Sequence, residues 1–212
     1  MLSLCEIELF LAKIDDDAMK NKRNEIGKMD ARIQEITSAM SDVADDAKAI
    51  FSALSLDQLN WKPSEKGWSV GQCLDHIIKT NHEFDAEFAK LASGTRKNSF
   101  WENVSPFSGW AGRFLVNAVS EDSKKAKAPS VRIVPPSDID ADIVERFSDE
   151  IAEVNEKVAA CANADREKTI VTSPFLFVFT YKLDDAFTVL VEHSKRHVRQ
   201  ARRVMENDGF PR

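Results

Sequence analysis

Apolar residues recur at spacings of three and four between Asn24 and Leu54, where Ile26, Met29, Ile33, Ile36, Met40, Val43, Ala47, Ile50 and Leu54 fall on one stripe. That period marks one buried face of a helix. The stretch "SLDQLNWKPSEKGWS" breaks it with Pro63 and Gly67, and Ser69 with Gln72 then stand three apart, as the reciprocal bonds of a capping box require. A second helix is predicted from Val70 to Ala92, ending near Gly94. Residues 95–136 hold Pro106, Pro129, Pro135 and Pro136, the aromatic run "FWENVSPFSGW" and the lysine patch "SKKAKAP". They read as a long crossover with one short helix, Gly109 to Val119. Structureless segments of this length are uncommon inside compact domains unless they carry function or lead the chain from one end to the other.

A third helix is expected from Ser137 onward, with Ile139, Ile143, Phe147, Ile151, Val154 and Val158 in register. "EKTIVTSPFLFVFTYKL" reads as a linker apolar enough for a strand, although Pro174 argues against a central one. The fourth helix spans Leu183 to Asn207 and stops at Gly209 and Pro211. Four helices without a credible sheet predict an all-α four-helix bundle. Short links between helices one and two and between three and four favour antiparallel neighbours, and the crossover lets helices two and three run parallel. The predicted topology is up-down-down-up. Residues 1–28 read as an N-terminal extension, with 4–14 apolar enough for a short helix, and 29–212 as the bundle domain.

Composition narrows the function. The 212 residues are 43% apolar and 30% charged, a globular balance that fits one core. A net charge of −6 gives no field that draws phosphate backbones, so nucleic acid is not an expected partner. The opening segment lacks a basic n-region, Glu6 and Glu8 interrupt it, and no apolar run approaches the roughly 20 residues that span a bilayer. Cys5, Cys73 and Cys161 are odd in number and form no CxxC, which points to reduced thiols and a cytoplasmic location.

The chemistry concentrates in "EHSKRHVRQARR", residues 192–203, which places His193 and His197 four apart in a chain with four histidines. With His193 at zero and about 100° per residue, His197 falls at about 40°, beside Ala186, Leu190, Ala201 and Val204. Both imidazoles therefore face the core, whereas Arg196, Arg199 and Arg203 form a basic row on the opposite, solvated side. Two such rings need partners, and a metal ion would satisfy both, since i, i+4 spacing lets their nitrogens converge. The third ligand would come from the second helix. His76 lies beside the stripe of Val70, Cys73, Ile77 and Phe84, while His82 is turned toward water. Thr80, Glu83 and Glu87, on the His76 side, are candidates to line a pocket or orient a ligand. Histidines satisfied by backbone or carboxylate partners are the competing reading. "HSKRH" has no glutamate after its first histidine, so the zincin base is missing. Cys73, one turn before His76, is an alternative nucleophile, although buried cysteines are usually inert.

Taken together, "LDQLNWKPSEKGWSVGQCLDHI", "SPFSGW", "KAP", "TSPFLFVFTYKLDDAF" and "HSKRHVRQARRV" resemble the DinB-like superfamily of four-helix metal-binding proteins over roughly residues 30–207. The resemblance implies that His76, His193 and His197 bind a divalent metal ion, nickel or zinc. It also implies a homodimer and a small-molecule substrate, with a low-molecular-weight thiol as one option. The activities it implies are metal-dependent hydrolysis or thiol S-transfer, and the alternative is a non-catalytic, stress-related binding module or dimer scaffold.

Overall fold

A computed structural model describes residues 31–104, 108–120, 130–176 and 178–212. The predicted extension 1–28, the start of the first predicted helix and the "SKKAKAP" patch lie outside the described residues. The chain is mostly helical. The described elements are α1 (residues 31–51), α2 (Leu56–Asn60), α3 (Val70–His82), α4 (Asp85–Ala92), α5 (Phe100–Val104) and α6 (Ser108–Ser120). A 3-10 turn (Val131–Ile133), α7 (Ile143–Ala160), β1 (Ile170–Thr172), β2 (Thr180–Lys182) and α8 (Leu183–Met205) follow. Met40, Ala47 and Phe51 of α1, Leu74 and Ile77 of α3, Phe147 and Ile151 of α7, and Phe187 and Leu190 of α8 are buried in one core. Each large side chain there contributes about 1.5–3 kcal/mol by leaving water. Among the described residues, no helix is long and apolar enough to cross a membrane.

Pairwise contacts give the helix directions. Gly71 lies against Ile139, His82 meets Glu150, Asp85 meets Lys157, and the Cys161 thiol reaches the Phe88 carbonyl. Residue numbers rise together along that seam, so α3–α4 and α7 run in the same sense. Between α3–α4 and α8 they run oppositely, because His76 meets His193 while Phe88 meets Phe187. Arg32 bonds Asp184 and Arg202 bonds Asp46, which sets α1 parallel to α8.

Local structure departs from the sequence expectation at five points. The second predicted helix is two helices. At its break Glu83 N–H donates to the Thr80 carbonyl and Phe84 N–H to that of Asn81, tightening the turn and leaving Phe84 and Phe88 buried. α4 ends where Gly94, at φ 65°, donates to the Leu91 carbonyl and Thr95 to that of Lys90, the paired bonds of a Schellman stop.

The third long helix, α7, begins at Ile143 rather than Ser137. Asn60 is the reason. Its Nδ2 donates to the Ile139 carbonyl and its Oδ1 accepts from the Ile139 N–H, both at 2.8 Å, which removes both groups from a helical ladder. Ile139 is thereby fixed as a plug over Gly71, where a Cβ would come within 2.9 Å of its Cγ2.

The segment read as a linker between the last two long helices is an antiparallel hairpin, with Val171 opposite Tyr181 and both buried. Pro174 sits just past β1, in the turn, where its missing N–H costs no ladder bond. The crossover, finally, carries α5 as well as α6, and α6 packs on β2 and α8. Gly112 makes the closest approach: a Cβ there would collide with the Asp185 carboxylate. Two members of the basic row also depart from the expected solvated face. Arg196 donates to the Ala118 carbonyl at 3.1 Å and Arg199 to that of Ser120 at 3.2 Å, so their charges cover the negative C-terminal end of α6.

Candidate metal centre

α3 starts where the sequence predicts. Ser69 Oγ accepts from the Gln72 N–H and Gln72 Oε1 from the Ser69 N–H, both at 3.1 Å. Gln72 Nε2 also donates to the Pro136 carbonyl at 2.7 Å, which ties the end of the crossover to the first turn of α3. His76 follows one turn later on the buried face. On α8, His193 and His197 project from the face that also carries Leu190, Ser194 and Ala201. Antiparallel packing of α3 on α8 brings the two sets of imidazoles to the same level.

One nitrogen from each of the three rings can be chosen so that all lie within 4.8 Å of one another. Ring centroids are 5.0 Å apart for His76 and His193, 4.5 Å for His76 and His197, and 4.5 Å for His193 and His197. His76 Nδ1 lies 2.7 Å from the Ile133 carbonyl oxygen. That oxygen only accepts, so Nδ1 carries the proton and Nε2 is left with a free lone pair. His76 Nε2 faces His193 Nε2 at 3.2 Å. Two nitrogens bound tetrahedrally to an ion at about 2.0–2.1 Å stand about 3.3 Å apart. The His76–His193 pair therefore already stands at the separation a shared divalent cation requires, and a His197 nitrogen lies within 4.8 Å of both.

Burial sets the charge state. Desolvation lowers the His76 pKa below the ordinary imidazole value, against smaller upward pulls from the Ile133 hydrogen bond and Asp75. For His193 the drop is larger, again mainly from desolvation, with His197, His76 and Arg196 adding repulsion of a further positive charge. Both rings are held neutral, the form that ligates.

Trp68, just before α3, packs against two of the rings, tilted on His76 at 4.7 Å and stacked on His197 at 5.8 Å. Neither Trp68, nor the Ile133 carbonyl, nor Gln200, whose Oε1 lies 3.0 Å from His197 Nδ1, follows from the helical pattern. Gln200 alone had a visible signal: it stands three residues after His197, on a neighbouring face of the same helix. The residues expected to line a pocket or orient a ligand are engaged elsewhere or have no partner in the site. Glu83 pairs with Arg132 and Glu87 with Arg96, while Thr80 is buried with its hydroxyl unpartnered. His82 is half in water and bonds Glu150 at 2.7 Å on the α7 side, away from the triad. Cys73 is fully buried, and desolvation pushes its thiol up to about 12, the inert alternative rather than the nucleophilic one.

No curated protein and no solved structure matches the chain. A family model described as the DinB superfamily matches residues 39–201, a span that includes all three clustered histidines, the whole of α3 and α8 as far as Ala201. By that match the chain belongs to the DinB superfamily.

Proposed function

We propose that this protein is a divalent-metal protein whose ion is held by His76, His193 and His197, and that it acts on a small molecule by hydrolysis or thiol S-transfer. The observation that carries the reading is the convergence of Nε2 atoms from two helices, one with its lone pair committed inward by the Ile133 carbonyl. A divalent ion there, nickel or zinc, would supply Lewis acidity, lowering the pKa of a coordinated water or thiol toward neutrality. The chain's own contribution is to keep His76 and His193 neutral and to gather all three rings at one point. Trp68 packs against two of them and excludes water from that side.

A second reading, a metal-holding module without turnover, draws support from the acids. Asp75 pairs with Lys79 at 2.9 Å, Glu192 with Lys195 at 3.3 Å, and Glu83 and Glu87 with arginines. Each acid close to the triad in sequence is thus engaged with a cation rather than poised as a general base.

Untagged protein purified without chelators should contain about one equivalent of metal per three-histidine site by elemental analysis, and the His76→Ala variant should contain little. Equal loading in both would remove the basis of the proposal. Incubation of the loaded protein with low-molecular-weight thiols, simple esters and amides then separates the readings, because turnover lost in His76→Ala favours the enzyme and metal without turnover favours the module. The expected homodimer is checked by light scattering, and a cytoplasmic location by fractionation.

A further inference from the structure

The three imidazoles are not held alike. His76 has its Nδ1 fixed by a main-chain carbonyl, while His193 Nδ1 is buried without a hydrogen-bond partner among the described residues. His197 is the one ring whose Nδ1 meets a replaceable side chain, Gln200 Oε1, at 3.0 Å. An amide oxygen can only accept, so this contact requires the proton on His197 Nδ1 and leaves Nε2 unprotonated. A neutral histidine otherwise distributes between two tautomers, and only one of them offers Nε2 as a ligand atom.

We propose that Gln200 is a positioning residue of the centre: it selects the Nδ1–H tautomer of His197 and orients that ring toward His76 and His193. The inference rests on the metal reading above for its purpose, but its physical content exists in the metal-free chain. Gln200 does not itself reach the ion; it acts through His197. It lies one turn further along α8 and is partly exposed, so replacing it leaves the core intact. Orienting partners of this kind alter metal affinity by about 10–100-fold when removed.

The test compares the parent chain with Gln200→Leu, which cannot accept, and Gln200→Glu, which can. Long-range proton–nitrogen correlation spectra of the metal-free proteins, taken well above the ordinary imidazole pKa, report which ring nitrogen of His197 is protonated. The parent and Gln200→Glu should show Nδ1–H, and Gln200→Leu should move population to Nε2–H. Titration with Co²⁺ and Zn²⁺ should show affinity about tenfold or more weaker in Gln200→Leu and restored in Gln200→Glu. An unchanged His197 tautomer in Gln200→Leu overturns the inference, as does an unchanged affinity despite a shifted tautomer. A parent chain that shows the expected tautomer response yet takes up neither ion overturns the metal reading instead, while the selection of the tautomer by Gln200 stands.

Discussion

His76 and His193 are 117 positions apart in the chain, and their Nε2 atoms are 3.2 Å apart in space. Because His76 donates its own proton to Ile133, that approach is stable only with a proton or a cation between the two nitrogens. A neutral His193 with its proton on Nε2 meets that condition by donating to His76 Nε2, and a bound cation would take the place of that proton.

Acid should destabilise the metal-free chain through these rings. Unfolded histidines take up a proton near pH 6.5, whereas folded His76 and His193 have lowered values. Below that pH the unfolded state binds more protons, so stability falls as pH falls and rises as pH rises through the same window. Urea midpoints measured between about pH 7.5 and pH 5.5 should decline, and the decline should flatten in a His76→Ala/His193→Ala double variant. A slope indifferent to the double substitution would show that other groups dominate.

His82 should matter to stability and not to metal. It is the partner of Glu150, whose side chain is 5% exposed against 51% for His82. Desolvation raises the Glu150 pKa, opposed chiefly by His82. Removing the imidazole in His82→Ala leaves a buried carboxylate without that bond, and partial solvent access limits the cost to about 1 kcal/mol. Glu150→Gln in the same background should recover part of it, with metal content unchanged throughout.

Asn60→Ala should cost more, about 1–3 kcal/mol, because one side chain satisfies both backbone groups of Ile139 across 79 positions. Asn60→Asp keeps the acceptor and loses the donor, and its denaturation midpoint should fall between those of the parent and Asn60→Ala.

Cys73 should be unreactive in the native state. With its thiol at about 12 and no exposed surface, it should resist an aromatic disulfide reagent at neutral pH until denaturant is added. Cys73→Ala should retain the full metal load. Loss of a measured turnover from that variant with metal still bound would instead establish a nucleophilic role.

Gly112→Ala should separate α6 from α8. The added methyl would collide with the Asp185 carboxylate and crowd its Cβ at 2.9 Å, and the overpacking should cost about 1–3 kcal/mol. Thermal denaturation of the variant checks this, and an unchanged midpoint would mean that α6 can shift without loss.

Much of the site was legible because helices convert spacing into direction. The 100° advance along α8 sets His193 and His197 side by side, and the stripe of α3 separates His76 from His82. The capping box at Ser69 and Gln72 is equally local, and both of its bonds form. What escaped depends on groups distant in sequence. Nothing near Ser137 announces that Asn60 will seize Ile139 and delay α7 to Ile143. The hairpin after α7 was obscured because Pro174 reads the same in a linker and in a turn. Arg196 and Arg199 look like solvated charges until α6 presents its terminal carbonyls to them. Ile133 joins the site only through the packing of the crossover against α3, and Trp68 through the irregular turn that precedes that helix.

The main-chain identity of the Ile133 contact has an evolutionary corollary. No change of side chain at position 133 deletes a carbonyl, so point mutation there leaves the His76 ring aimed as before unless it deforms the 3-10 turn. Insertions and deletions in the neighbouring loop are the events that would disorient the ring. Drift in this lineage should accordingly be tolerant of composition in the turn and strict about its length.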